Sequence, residues 1–286
     1  METQNTPIHL YNQKALEQIK IAAAILTKAV KIVSSKAESN LYEYATTLEI
    51  EEDFKYFVNF YLREHNDHPN ELQYPFMSEV SNDGSQYGFA TCLSVNDEIV
   101  HSRPSNRLLE DGDVITIDCG LSLNGYCSDV AHTVCISSLG KYQNMDPKVV
   151  TLFKALALTI DRVGVVCRPG NRLGHIAEVI AKTAAVHRLG NIINFGGHGI
   201  GRSLHEVPYI PNAPGISTWD DLILRPGMSF CVEPMFTLGG SSKIAKKEDG
   251  WTILTADGSI AAHEERHIII TEEGCEILTD FYQEKE

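Results

Sequence analysis

Five side chains of the metal-ligating kind, Asp118, Asp129, His198, Glu233 and Glu265, stand in order in short apolar or glycine-rich segments of this 286-residue chain. A fold that buries those segments must bury their charges as well. Removing an ionised group from water costs several kcal/mol unless a partner compensates it. Four acids and one histidine cannot neutralise one another, whereas two divalent cations would satisfy all five. That arithmetic favours a two-metal hydrolytic site.

The bulk numbers narrow the class. Hydrophobic content of 43% and charged content of 22% are those of a soluble globular protein, and the length can bury a sizeable core in one large domain or two small ones. A formal net charge of −14 argues against a nucleic-acid binder, which needs clustered Lys and Arg. No stretch approaches the roughly 20 apolar residues of a membrane span. The opening METQNTPIHL lacks the basic start and apolar run of a secretory signal. The seven cysteines are scattered without a Cys-x-x-Cys, as reduced thiols of a cytoplasmic protein would be.

Helical spacing of Leu16, Ile19, Ala23, Leu26, Val30 and Val33 predicts an amphipathic helix from Asn12 to Val33. A second helix is expected over 41–63, and the Pro-, Asn-, Ser- and Gly-rich stretch 65–88 reads as a long loop. Strands are expected at 89–95 and as a pair over 113–136. Helices follow at 148–165 and 172–188, with Gly190 placed as a C-terminal cap. Mixed strand and loop run from 196 to 278. No composition shift marks a linker, so one α+β domain is the economical expectation. A faint internal echo is present: Gly112 leads an apolar strand to Asp118, and Gly227 leads another to Glu233.

Asn124-Gly125 is a strong hairpin signal, because both central residues of a type I′ turn need positive φ. With that turn Leu123 faces Tyr126 and Gly120 faces Asp129. Asp118 then shares a face with Asp129 as its diagonal neighbour, about 7–8 Å away, within reach of metals roughly 3.5–4 Å apart. Around His198, glycines at 196, 197, 199 and 201 let backbone approach something closely, but no Gly-Lys-Ser/Thr ending makes them a phosphate loop. His205 follows in the same stretch. Residues His263-Glu-Glu-Arg-His267 match the H-E-x-x-H zinc pattern, which requires a helix. The Ile-Ile-Ile-Thr that follows favours a strand, on which His263, Glu265 and His267 share one face and Glu264 the other.

Assembled in this way, the chain resembles the type I methionine aminopeptidases, relatives of prolidase and aminopeptidase P. The pieces that match are Ser94 to His101, the Asp118/Asp129 hairpin, Gly197 to Pro208, Arg225 to Met235, and Asp249 through Glu265. The resemblance implies a pita-bread fold, an antiparallel sheet flanked by helices in pseudo-two-fold halves. It also implies one catalytic domain over 1–286, with divergent helices and loop at 1–86 and a metallopeptidase core at 87–275. Asp118, Asp129, His198, Glu233 and Glu265 would bind two divalent ions, with Asp129 and Glu265 bridging. Four carboxylates to one imidazole suits Mn²⁺, Fe²⁺ or Co²⁺ at least as well as Zn²⁺. Glu233 would shuttle a proton, His205 would bind the oxyanion and His101 would assist at the scissile nitrogen. Tyr87, Cys92, Leu204 and Trp251 match pocket positions that would hold a methionine side chain. Leu204 stands where the family usually has phenylalanine, and Arg266-His267 replaces the usual His-Thr.

The implied reaction is removal of N-terminal methionine from nascent polypeptides whose second residue is small. The implied protein is a cytoplasmic monomer without nucleic-acid or membrane partners, with a transient ribosome contact left open. An X-Pro aminopeptidase or prolidase-like relative is the enzyme alternative; a non-catalytic binding protein on the same fold is the other.

Overall fold

The computed structural model describes residues 7–39, 41–64, 71–81, 84–137 and 145–281. The first half of the chain builds α1 (Gln13–Glu38), α2 (Thr47–Glu64), β1 (Leu72–Gln73), β2 (Thr91–Val95), β3 (Glu98–Val100), β4 (Val114–Leu123) and β5 (Tyr126–Cys135). The Asn12 side chain starts α1 by accepting from the Ala15 N–H at 3.0 Å. This helix runs past the expected end at Val33, because Ser34 and Ala37 continue its buried stripe. The second helix starts later than expected. Tyr44, at φ +63°, holds residues 41–44 in a turn. Thr46 and Glu49 then form a reciprocal capping box, Thr46 N–H to Glu49 Oε2 at 2.7 Å and Glu49 N–H to Thr46 Oγ1 at 3.3 Å. Of the expected loop 65–88, residues 65–70 and 82–83 lie outside the described ones; the remainder includes β1 and a 3₁₀ turn over Pro75–Ser78.

The hairpin forms in the register that its turn dictates. Asn124 (φ +51°) and Gly125 (φ +74°) close it, Leu123 pairs with Tyr126 and Gly120 with Asp129. β2 and β1 flank β4 on the side away from β5, both antiparallel. α1 lies across β4 and β5 with α2 beside it. The core between them holds Leu26, Val30, Phe54, Ile115, Ile117 and Val130, all fully buried.

The second half builds α3 (Pro147–Val166), α4 (Gly174–His187), β6 (Gly190–Asn191), β7 (Gly196–Gly199), β8 (Glu206–Pro211), β9 (Ser229–Val232), β10 (Met235–Thr237), β11 (Ile244–Lys246), β12 (Ile253–Thr255), β13 (Ala261–His263), β14 (Arg266–Ile270) and β15 (Cys275–Ile277). Pro147 opens α3 behind an Asp146 cap. Gly190 is not the cap of α4: Arg188 takes the left-handed position at φ +57°. Gly190 sits in β6, where a Cβ would stand 2.2 Å from the Ser241 carbonyl oxygen, so close approach, not a turn, requires the glycine there. The five-stranded sheet β15-β14-β9-β7-β8 is antiparallel, and α3 and α4 pack over a second core that includes Leu156, Ile180, Phe230, Phe236 and Ile268.

The echo between Gly112 and Gly227 is structural. Gly112 (φ +94°) donates its N–H to the Ile136 carbonyl at 2.8 Å and leads into β4. Gly227 (φ +88°) does the same to Ile270 at 2.9 Å and leads into β9. Each half is therefore a helix pair over antiparallel strands with an acid carried at the corresponding place. The halves meet where the Glu265 N–H donates to the Ala131 carbonyl at 2.9 Å, joining β5 to the gap between β13 and β14.

At these two positions a side chain is strained whatever the space, by about 1–2 kcal/mol. Gly112→Ala should cost that much in urea melts, since nothing lies within 4 Å of its Cβ. Gly227→Ala should cost more, because its Cβ would also meet the Tyr11 carbonyl oxygen at 2.9 Å.

Candidate metal centre

The five residues that open the chain's case come from five separate places. Asp118 and Asp129 lie on the paired strands β4 and β5, and His198 lies on β7. Glu233 occupies the break before Pro234 that separates β9 from β10, and Glu265 the break between β13 and β14. Residues 263–267 are thus strand and strand break, not helix, which removes the zinc-helix pattern. Oxygens of Asp118, Asp129 and Glu265 lie within 4.8 Å of one another. His198 Nε2 stands 3.9 Å from Asp129 Oδ2 and 3.8 Å from Glu265 Oε1. Glu233 lines the same cavity, with Oε2 3.5 Å from His263 Nε2. Cys231, which reads in the sequence as a core thiol, also brings its sulfur within 4.8 Å of ligand atoms of His198 and Glu265.

The charges are in distress without a counterion. Burial pushes the Asp118 carboxyl up to about 7. Burial and then the Asp118 charge push Glu233 up to about 8. Asp129 and Glu265 rise well above the usual carboxylate range, through burial first and neighbouring carboxylates second. Asp118 Oδ1 and Glu265 Oε1 are buried without a hydrogen-bond partner. Burial, reinforced by His205, holds His198 neutral with a value near 3, ready to offer a lone pair. Orphaned buried oxygens, an oxygen-rich donor set and a neutral imidazole fit divalent cations.

The cavity around these groups has a volume of about 170 Å³. His101 reaches it from a left-handed residue (φ +62°) directly after β3, and burial keeps its imidazole neutral at about 4. A non-glycine residue in that conformation is a local cost retained where a side chain must be aimed. His205 reaches it from the loop before β8; its ring meets His198 edge-on at 4.5 Å, and its Nδ1 lies 3.7 Å from Glu79 Oε1. Tyr87, Cys92 and Trp251 wall the other side, the Tyr87 and Trp251 rings crossing at 5.0 Å. The Tyr87 hydroxyl is occupied with the carbonyls of Thr91 and Ser102, so its ring, not its polar end, serves the cavity. Leu204 is buried in the same cluster but does not line the cavity; Phe76 and Glu79 do.

Two further sets of side chains support the centre. Glu264, fully buried, lies 2.8 Å from His132 Nδ1 and accepts from Arg266 Nη2 at 2.5 Å. Burial would raise its pKa, but His132 and Arg266 hold it at about 2. Arg266 Nη1 donates to the carbonyls of Ala131 and Glu265 at 2.9 and 2.7 Å, so the guanidinium fastens both strands that carry ligands. His267 bridges Ser128 Oγ and Ser229 Oγ at 3.0 and 2.7 Å. On the opposite flank, the Tyr11 hydroxyl donates to the Glu206 carboxylate at 2.8 Å and accepts from the Arg202 N–H at 2.9 Å. Glu206 also accepts from the N–H groups of Arg202 and Ser203, which fixes the loop bearing His205.

Metal removal has a signed consequence. The carboxyls are raised from about 4 in the unfolded chain to about 7 and 8 at Asp118 and Glu233. In metal-free protein the stability allowed by their neutral forms is fully present below pH about 4 and is lost as pH rises through about 7–8. Chelated protein should therefore melt lower at about pH 8.5 than at about pH 6, and excess Mn²⁺ or Co²⁺ should abolish the difference. Thermal melts with and without chelator check this.

The sequence matches metallopeptidase family M24 over residues 17–272. The methionine aminopeptidase of Aquifex aeolicus is 32% identical over 275 residues, spanning 96% of this chain and 99% of that one. The crystal structure of methionine aminopeptidase from Thermotoga maritima superposes with a TM-score of 0.79 at 31% identity, over 96% of this chain and 100% of that one. The prolidase of Pyrococcus horikoshii shares the fold alone, with a TM-score of 0.70 at 19% identity, over 96% of this chain and 64% of the prolidase. In the described residues no helix is long and apolar enough to cross a membrane. A buried carboxylate–imidazole cage of this kind, on the pita-bread fold and with relatives of this similarity, places the chain in metallopeptidase family M24.

Proposed function

We propose that the chain is a methionine aminopeptidase that releases N-terminal methionine from polypeptides with a small second residue. The observation that carries this reading is the juxtaposition, in one cavity, of three buried acids and the partly buried Glu233, a neutral His198, two further histidines and a wall of Tyr87, Cys92 and Trp251. Asp118, Asp129, His198, Glu233 and Glu265 would hold two divalent ions, with Asp129 and Glu265 shared between them. When bound, those ions would neutralise the carboxylates, acidify a water and polarise the scissile carbonyl.

The protein's own groups do the remaining work. Glu233 is the buried carboxylate that takes the proton of the attacking water and later returns it to the leaving amine. His205, whose pKa burial lowers from the ordinary imidazole value, donates one N–H to the carbonyl oxygen as negative charge develops there. His101, neutral for the same reason, faces the scissile nitrogen and fixes the peptide's entry. The aromatic and sulfur-lined side of the cavity excludes water and suits a thioether, which makes favourable contacts with ring edges. The whole chain is one catalytic domain in this reading, with 87–275 as its core. It works as a cytoplasmic monomer on newly made chains.

The X-Pro alternative is disfavoured because full-length relatives above 30% identity are methionine aminopeptidases, whereas the prolidase likeness is one of fold. Steady-state rates on Met-Ala-Ser and on an X-Pro tripeptide test the choice; preference for the latter would sink the proposal. Glu233→Ala should abolish turnover of Met-Ala-Ser, and His205→Ala should slow kcat by on the order of 10²–10³, the effect of losing one oxyanion donor.

A further inference from the structure

The segment between α2 and β2 contributes to the cavity in a way that the metal cage does not explain. Phe76, on the 3₁₀ turn Pro75–Ser78, is 8% exposed and lines the same cavity as Asp118 and Glu233. A Cβ built on Gly120 would stand 3.0 Å from Phe76 Cε1 and 3.2 Å from Leu204 Cδ1, so these two side chains crowd one spot over β4. That spot lies beside the metal ligands, because Gly120 pairs with Asp129 and is two residues from Asp118. Of the two, Phe76 faces the cavity and Leu204 does not.

The turn is fastened firmly enough to hold a wall. Met77 N–H donates to Tyr74 O and Glu79 N–H to Phe76 O, each at 3.1 Å, and Ser78 Oγ caps Pro75 O at 2.9 Å. The Tyr87 N–H donates to the Glu79 carbonyl at 2.8 Å, which ties the turn to another cavity wall. Gly120 completes the fit, since a Cβ there would press against the Phe76 ring at 3.0 Å.

We propose that Phe76 is the specificity-determining residue of the side-chain pocket, its ring setting the cavity's width at the spot over Gly120 that it shares with Leu204. This rests on the methionine aminopeptidase reading. A difference of one methylene in an apolar pocket is worth roughly 10–200-fold in kcat/KM, so loss of a whole ring registers clearly. The test compares Met-Ala-Ser with Phe-Ala-Ser. In Phe76→Ala the preference for methionine over phenylalanine should fall by about tenfold or more, with the loss on Met-Ala-Ser carried by KM. Leu204→Phe should overfill the shared spot and lower kcat/KM on Met-Ala-Ser, and Phe76→Leu added to it should restore much of the loss, which a merely structural Phe76 would not do. Phe76→Leu alone serves if the alanine variant does not fold, with the same direction expected. An unchanged methionine preference in the folded Phe76 variant, or a double variant no better than Leu204→Phe, overturns the proposal. Wild-type protein that fails to turn over Met-Ala-Ser overturns the functional reading as well, so the two failures are distinct.

Discussion

The site is organised around one repulsion, that of four carboxylates gathered in a single seam, three of them buried and Glu233 partly so. Asp118 and Asp129 are placed by a hairpin register and Glu233 and Glu265 by strand breaks, so each is carried on backbone that the sheets hold. Their pKa values, lifted by burial and by one another, measure how poorly the protein alone satisfies them. Two separate cores, one under α1 and α2 and one under α3 and α4, supply the stability that holds these charges together. The seam belongs to neither core, and that is why a cation can be its missing partner.

Much of the centre was legible in the sequence, for local physical reasons. Asn124-Gly125 permits only one short turn, and that turn alone set Gly120 opposite Asp129. The β-branched run after His267 argued against a helix, and Glu265 stands in the break between two strands. The glycines at 112 and 227 signalled a repeated corner because each leads an apolar strand to an acid six residues on, and both take positive φ. What stayed hidden depended on contacts between distant segments. Phe76 lies in a stretch with no periodicity, so nothing local said that its ring would meet Leu204 or Gly120. Cys231 has the sequence setting of any core thiol, and the start of α2 is set by the Thr46–Glu49 capping box and not by the apolar spacing that begins at Leu41. Gly190 misled because close approach and helix capping both ask for the same residue.

The departure at Arg266-His267 becomes intelligible as a brace. A fully buried guanidinium is tolerable only when paired, and Arg266 has Glu264, two carbonyls and the Phe281 ring, 4.6 Å from its centre. His132, the other partner of Glu264, stacks on the same ring at 4.4 Å. This group sits directly behind Ala131 and Glu265, the point at which the two halves join. Ionic pairing fixes one side of the seam, while Asp118 Oδ1 and Glu265 Oε1 remain without a hydrogen-bond partner on the other.

The Tyr11 latch has a consequence in time as well as in space. Its hydroxyl meets Glu206 across 195 positions of sequence, and its N–H meets the Gly227 carbonyl. Contacts that span so much chain cannot form until the later segment exists, and closing them is entropically slow. During synthesis the Asp118–Asp129 hairpin can therefore form while the loop of His205 is still unanchored. Peptidase competence becomes a property of the nearly finished chain, so a partly made copy can begin to gather its ligands without yet being able to cut.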